Sequence, residues 1–90
     1  MNDELEQRIR NALDELRTER DDLRVRLHLA GQELKDEWEE LEEKWEHFEG
    51  RAQNVRKEAA AASKDVLGAL DLLGEELGRA YERIRHRLVD

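Results

Sequence analysis

The sequence predicts an all-α protein in which a long amphipathic helix forms a coiled coil and self-associates into a bundle. Of its 90 residues, 44% are charged and none is proline, and the good helix formers Ala, Leu, Glu, Arg, Lys and Gln dominate. The β-branched residues that favour strands are scarce. Apolar residues recur in steps of three or four from Leu5 to Leu88, which is the repeat of a coiled coil.

This apolar stripe is predicted to begin just after an N-cap at Asn2 or Asp3. Arg20 occupies one of its positions, between Leu16 and Leu23. Successive four-residue steps at a few points should keep the helix nearly straight, because such slips unwind a left-handed supercoil. The stripe comprises Leu5, Ile9, Ala12, Leu16, Leu23, Leu27, Ala30, Leu34, Trp38, Leu41, Trp45, Phe48, Ala52, Val55, Ala59, Ala62, Val66, Ala69, Leu73, Leu77, Ala80, Ile84 and Leu88.

Two arrangements of a single domain covering residues 1–90 fit this pattern. The favoured one is a continuous helix, because the stripe passes through Gly50 without losing phase. The alternative is an antiparallel hairpin that turns near Gly50, with a break within 49–54 and Asn54 capping the second helix. In the hairpin, the acidic segment 36–49 would face the basic residues that follow Gly50. Ser63 is a further candidate N-cap, for a helix that starts at Lys64.

A lone amphipathic helix cannot bury its stripe, so the sequence predicts a homo-oligomer. An antiparallel dimer or a four-helix assembly is expected, because a parallel dimer in register would place two acidic 33–49 segments side by side. The predicted seam between chains consists of Leu34, Trp38, Leu41, Trp45, Phe48, Val55, Val66, Leu73, Leu77 and Ile84.

No catalytic, cofactor-binding or metal site is expected, and the chain is predicted not to be an enzyme. It has no cysteine and no phosphate-binding or zinc-type spacing. His47 follows Glu43 by four residues, and His86 follows Glu82 by four. Such a pair could supply two ligands to a metal shared between chains. An ordinary surface ion pair is the favoured interpretation.

Charge and hydropathy narrow the predicted partners and location. The net charge of −8 opposes nucleic-acid binding. No basic or apolar leader opens the sequence, and no window approaches the roughly 18 apolar residues of a membrane span, so a cytoplasmic protein is expected. We therefore expect a structural, scaffold or stress-protective role. The alternatives are an adaptor that binds another helical protein through its stripe, and weak membrane-surface binding by residues 66–89.

Three segments resemble small, mostly uncharacterised proteobacterial coiled-coil proteins: 35–48 (KDEWEELEEKWEHF), 72–77 (LLGEEL) and 81–85 (YERIR). Those proteins are similar in character to the stress-response coiled-coil family first named in cyanobacteria, and such chains are often compared with apolipoprotein-type helices. The resemblance covers about residues 21–88. It implies a structural or stress-associated helical protein without catalytic residues. His47 and Tyr81 lie in the matching segments and receive no role from it.

Overall fold

Three α-helices account for most of residues 3–57 and 63–88, the part of the chain that the computed structural model describes. Helix α1 is Asp3–Arg26 and continues into a short 3-10 helix, Leu27–Leu29. Helix α2 is Gln32–Lys57, and helix α3 is Lys64–Leu88. They pack side by side into a rod of 44 × 19 × 17 Å. The predicted all-α bundle is confirmed.

Ion pairs between helices define the topology. Arg17 pairs with Glu49 and Arg20 with Glu42, so α1 and α2 are antiparallel. Arg8 of α1 pairs with Asp71 of α3, and residues further along the two helices pair in the same order, which makes α1 and α3 parallel. The chain therefore runs up, down and up again.

The connectivity differs from both predicted arrangements. Gly50 lies inside α2, so the hairpin turn near Gly50 and the break within 49–54 are wrong. The stripe does pass through Gly50 within one helix, α2. The single continuous helix is nevertheless wrong, since α1 ends at Arg26 and α3 starts at Lys64. Folding back lets one chain bury its own stripes, which an isolated helix could not do. The predicted stripe residues Ala59 and Ala62, and the candidate cap Asn2, lie outside the described residues.

The corner between α1 and α2 contains an extended residue. Ala30 has φ −84° and ψ 157°, and its N–H donates to the Leu27 carbonyl at 2.9 Å. Helix α2 then begins with Lys35 N–H donating to the Gly31 carbonyl at 3.1 Å. Among the described residues none has positive φ. The chain has no proline, so Gly31 is the residue of this corner that disfavours a helix.

Ser63 caps the start of α3, as the sequence predicted. The Val66 N–H donates to the Ser63 hydroxyl at 3.2 Å, and the Leu67 N–H donates to the Ser63 carbonyl at 3.0 Å. The hydroxyl thereby satisfies one of the backbone donors that the first helical turn leaves without an intrahelical partner.

The core runs along the axis of the bundle, and two helices are rotated slightly from the predicted stripe. In α1, Leu13 is fully buried and Ala12 only partly. In α3, Leu67 and Leu70 are buried, whereas Val66 and Ala69 are exposed. The buried hydrophobic residues are Ile9, Leu13, Leu16, Leu23, Leu27, Leu34, Trp38, Trp45, Phe48, Ala52, Val55, Leu67, Leu70, Leu77, Ala80, Tyr81 and Ile84.

Candidate functional site

The ten residues of the predicted seam lie mainly inside this one chain. Leu41 and Leu73 are partly buried against the core, and Val66 is 40% exposed. A side chain buried between helices of its own chain can meet a second copy only if the bundle opens. The seven buried members are Leu34, Trp38, Trp45, Phe48, Val55, Leu77 and Ile84.

Arginines from the other two helices neutralise the flanks of the acidic segment of α2. Arg17 donates to Glu49 at 3.0 Å, and Arg87 of α3 donates to Glu37. The hairpin alternative had assigned this role to basic residues after Gly50. The outward face of α2, which we call the acidic face, consists of the exposed residues Glu39, Glu40, Glu43 and Glu46.

A polar layer formed by Arg20, Glu42 and Tyr81 lies at the edge of the core. Arg20 stands at a stripe position and makes two hydrogen bonds to Glu42, from Nε to Oε1 at 2.8 Å and from Nη2 to Oε2 at 2.7 Å. Its guanidinium carbon lies 5.9 Å from the centre of the Trp45 ring, within cation–π range. The hydrogen bond to Glu42 raises the pKa of Arg20 above its ordinary value despite partial burial, so the guanidinium stays charged.

Tyr81 completes this layer from α3. Its side chain is fully buried, its ring centre lies 5.6 Å from that of Trp38, and its hydroxyl has no hydrogen-bond partner. Burial raises the pKa of Tyr81 above its usual range, and the nearby Glu42 carboxylate raises it further, while Arg20 opposes them. The phenol therefore stays neutral at physiological pH.

The polar layer has the properties of a positioning device. Its arginine stays charged, its carboxylate is held by two hydrogen bonds, and its phenol stays neutral. A bidentate arginine–carboxylate pair has a fixed geometry, and here it joins α1 to α2 at one height along the rod. A partly buried pair of this kind favours one alignment of two helices, because any shift would leave a charge without its partner.

The histidines stand apart from this layer. The His28 ring contacts the Val25 carbonyl at the end of α1, and His47 and His86 are exposed. Within residues 3–57 and 63–88, no group of three or more His, Cys, Asp or Glu side chains is arranged to hold a metal ion.

The surface carries several large hydrophobic side chains and one groove near the corner. Val25 is 70% and Leu29 80% exposed, and Leu72 on α3 is 62% exposed. An open groove of about 460 Å³ lies where the corner meets the end of α3. Its lining includes Arg26, Leu29, Gly31, Leu34, Arg87 and Leu88.

Sequence reasoning found part of the polar layer. Arg20 was visible as a charge at a stripe position. Glu42 and Tyr81 were missed, because the pattern of one helix does not say which residue of another lies opposite. Tyr81 had a detectable signal, since it follows Leu70 and Leu77 at coiled-coil spacing.

Comparison with protein-family models, curated proteins and solved structures found no significant match. None of the helices in the described ranges is both long enough and apolar enough to cross a membrane.

Proposed function

We propose that this protein is a non-enzymatic, cytoplasmic structural protein that self-associates and serves as a scaffold or stress-protective factor. The observation that carries the proposal is that its charged side chains join helices to one another. Arg8 pairs with Asp71 at 2.9 Å, Arg17 with Glu49 at 3.0 Å, and Arg85 with Glu19 at 3.2 Å. Side chains held in this way are positioned for helix packing.

The coiled-coil spacing of the buried residues supports self-association. Each helix presents apolar residues at alternating steps of three and four, a pattern that fits a partner helix from the same chain or from another copy. Because one chain fills its own core, a second copy is not required for folding. We expect an equilibrium between monomer and dimer, and not an obligate oligomer.

Sedimentation velocity over a concentration series tests the self-association. The weight-average mass should rise from that of one chain towards that of two. The melting temperature measured by circular dichroism should rise with concentration as well, because association stabilises only the folded form. A single-chain mass at every concentration, with a constant melting temperature, would contradict the proposal.

An adaptor role is the second candidate, and exposed residues of α3 favour it. Leu72 is 62% and Val66 40% exposed, and Ala69 between them is exposed too. An amphipathic helix of another protein could bind there. Leu72→Gln should then weaken that binding and leave self-association unchanged. Lipid binding by residues 66–89 has less support, because the apolar side chains Leu67 and Leu77 of this segment are buried in the bundle.

A further inference from the structure

We propose that the α1–α2 corner is a hinge, and that two copies of the chain exchange their α1 helices by straightening it. In the exchanged dimer, residues 3–57 of each copy form one helix of about 80 Å. The α1 part of this helix packs on α2 and α3 of the partner copy. The inference rests on the proposed self-association and names its partner and its mode.

The first supporting observation is that the core stripe crosses the corner in phase. From Ile9 to Val55 the core-facing positions follow one another in steps of three or four, and the corner itself supplies Leu27, Ala30 and Leu34. Two separate helices joined by a turn do not need to keep this spacing across the turn, because each helix can rotate independently to face the core. A continuous helix must keep the spacing if one face is to stay buried along its length. The full series is Ile9, Leu13, Leu16, Arg20, Leu23, Leu27, Ala30, Leu34, Trp38, Leu41, Trp45, Phe48, Ala52 and Val55.

The second observation is that little holds the corner in its bent form. Ala30 departs from helical geometry, with ψ at 157°. Leu29 is 80% exposed, and a Cβ placed at Gly31 would meet nothing within 4 Å. All of residues 27–31 can adopt a helical conformation, since none is proline and none has positive φ. Straightening replaces the extended backbone at Ala30 with additional helical hydrogen bonds.

The third observation is that α1 and α2 contact α3 through the same side of the apolar stripe, so a straightened helix would face α3 of the two copies with one continuous side. Glu19 of α1 and Glu37 of α2, which pair with α3, each immediately precede a stripe position. Arg17 and Glu49, which pair with each other between α1 and α2, each immediately follow one. Because α1 and α2 are antiparallel, both halves of the long helix keep α3 on the same side. The exchanged dimer can therefore re-form the contacts of the closed bundle between two copies.

The hinge can be blocked with the loss of one exposed hydrogen bond from the closed bundle, the one that Gln32 Nε2 donates to Asp36 Oδ1 at 2.8 Å. Gln32 is the first residue of α2, a position where proline is well tolerated. In a continuous helix, proline at this position would remove a hydrogen bond and clash with the carbonyl of His28. Gln32→Pro should therefore keep the helicity of the monomer and abolish the dimer detected by sedimentation velocity.

The opposite change should favour exchange. Gly31→Ala adds a methyl group into open space in the closed bundle and improves helix propensity in the straightened form. With two hinges per dimer, the association constant should rise about 10- to 30-fold. Gly50→Ala is the matched control. It also adds a methyl group into open space, but residue 50 is helical in both forms, so the association constant should stay unchanged.

A disulfide can report which chain supplies α1. The Cβ of Ala12 lies 3.7 Å from a Cβ built at Gly74, a suitable separation for a disulfide, and the chain has no cysteine of its own. Oxidised dimer of the Ala12→Cys, Gly74→Cys variant should run as two linked chains on a non-reducing gel. The Phe48 ring, 3.2 Å from the same Cβ, must shift slightly. The two hinge variants, Gln32→Pro and Gly31→Ala, test the exchange independently of this pair.

Different results would overturn different parts of the proposal. If Gln32→Pro dimerised as well as the wild type, or if the disulfide in the isolated dimer lay within single chains, exchange would be wrong and self-association would stand. If the wild type and Gly31→Ala both remained monomeric at all concentrations, exchange and the proposed self-association would both be wrong.

Discussion

Arg20 places a positive charge at a stripe position beside the core, and the ion pair with Glu42 stabilises that charge. The Arg20 side chain is 18% and the Glu42 side chain 25% exposed, so either charge alone would be poorly solvated. Removing one partner should cost more stability than removing both. The arginine could be found from the stripe alone. Its partner could not, because Glu42 is one of many similar glutamates in α2 until the topology selects it.

Tyr81→Phe should leave the bundle as stable as the wild type, or more stable by about 1 kcal/mol. The substitution keeps the ring beside Trp38 and removes a buried hydroxyl that has no hydrogen-bond partner. Urea denaturation near neutral pH measures the change. A loss of more than about 1 kcal/mol would mean that the hydroxyl has a partner in solution.

The same residue should make stability depend on alkaline pH. Burial raises the pKa of Tyr81, so folding favours the protonated phenol. This contribution is complete below the ordinary tyrosine pKa of about 10 and is lost as the pH rises beyond it. The wild type should therefore lose more stability than Tyr81→Phe between about pH 9 and 11. Equal losses in the two proteins would contradict the burial of this hydroxyl.

Helix α3 shows how the packing of one element depends on where its glycines face. Gly68 has open space at the position of a Cβ, whereas a Cβ at Gly74 would lie 3.2 Å from Cε1 of Phe48 and 3.4 Å from its Cζ. Both residues lie within the same helix, so the helix-propensity gain from alanine should be similar. At Gly74, α3 packs directly against the Phe48 ring of α2.

Gly68→Ala should stabilise the protein by about 0.5–1 kcal/mol through helix propensity. Gly74→Ala should gain less, or should destabilise, because the Phe48 ring must move to admit the methyl group. Parallel urea denaturation of the two variants isolates the packing contribution, since each serves as the control for the other. Equal effects would show that Phe48 does not constrain this contact.

The sequence largely predicts that the chain is helical. It predicts only in part which face of each helix is buried and where each helix ends. Ser63 predicted the start of α3, because a serine hydroxyl can cap the first turn of a helix. In α3, the apolar-rich segment 66–73 contains two possible stripes with the same spacing, one through Val66 and Ala69 and the other through Leu67 and Leu70. Only contact with α1 and α2 selects Leu67 and Leu70 over Val66 and Ala69. The corner has only a weak sequence signal, because Ala30 is a good helix former and Gly31 is one of five glycines, several of which lie inside helices.

One core unites the whole molecule, so a change in one helix should be felt in the others. Ile9 and Leu13 of α1 are buried in the same cluster as Trp45 and Phe48 of α2 and Leu77 of α3. Both tryptophans belong to α2. Their fluorescence therefore reports on the surroundings of α2, while circular dichroism reports on all three helices.

Leu13→Ala should destabilise the protein by about 2–5 kcal/mol. Its fluorescence and circular-dichroism transitions in urea should shift together, as expected for two-state unfolding. Val25→Ala is the matched control in the same helix. Its side chain is 70% exposed, so the change should stay within about 0.5 kcal/mol. A fluorescence transition unmoved by Leu13→Ala would show that α1 unfolds independently of α2.

At this largest scale, the sequence specified that the apolar stripe must be covered but not which chain covers it. The same spacing of Leu34, Trp38 and Trp45 fits a neighbour from one chain or from another copy. The closed bundle arises because two short connections bring the three helices together within one molecule. Intramolecular contact of this kind avoids the entropy lost when two chains associate.

The acidic face also makes the distribution of charge over the molecule uneven. Residues 32–49 contain nine acidic and two basic side chains, whereas α3 contains five of each, so negative charge is concentrated on one side of a rod about 19 Å wide. Such an uneven distribution creates a field that exerts a torque on the molecule as it nears a charged body. A positively charged surface would therefore meet α2 first, before any short-range contact forms. Added salt would weaken this alignment, because it screens the field within about 10 Å at 0.1 M.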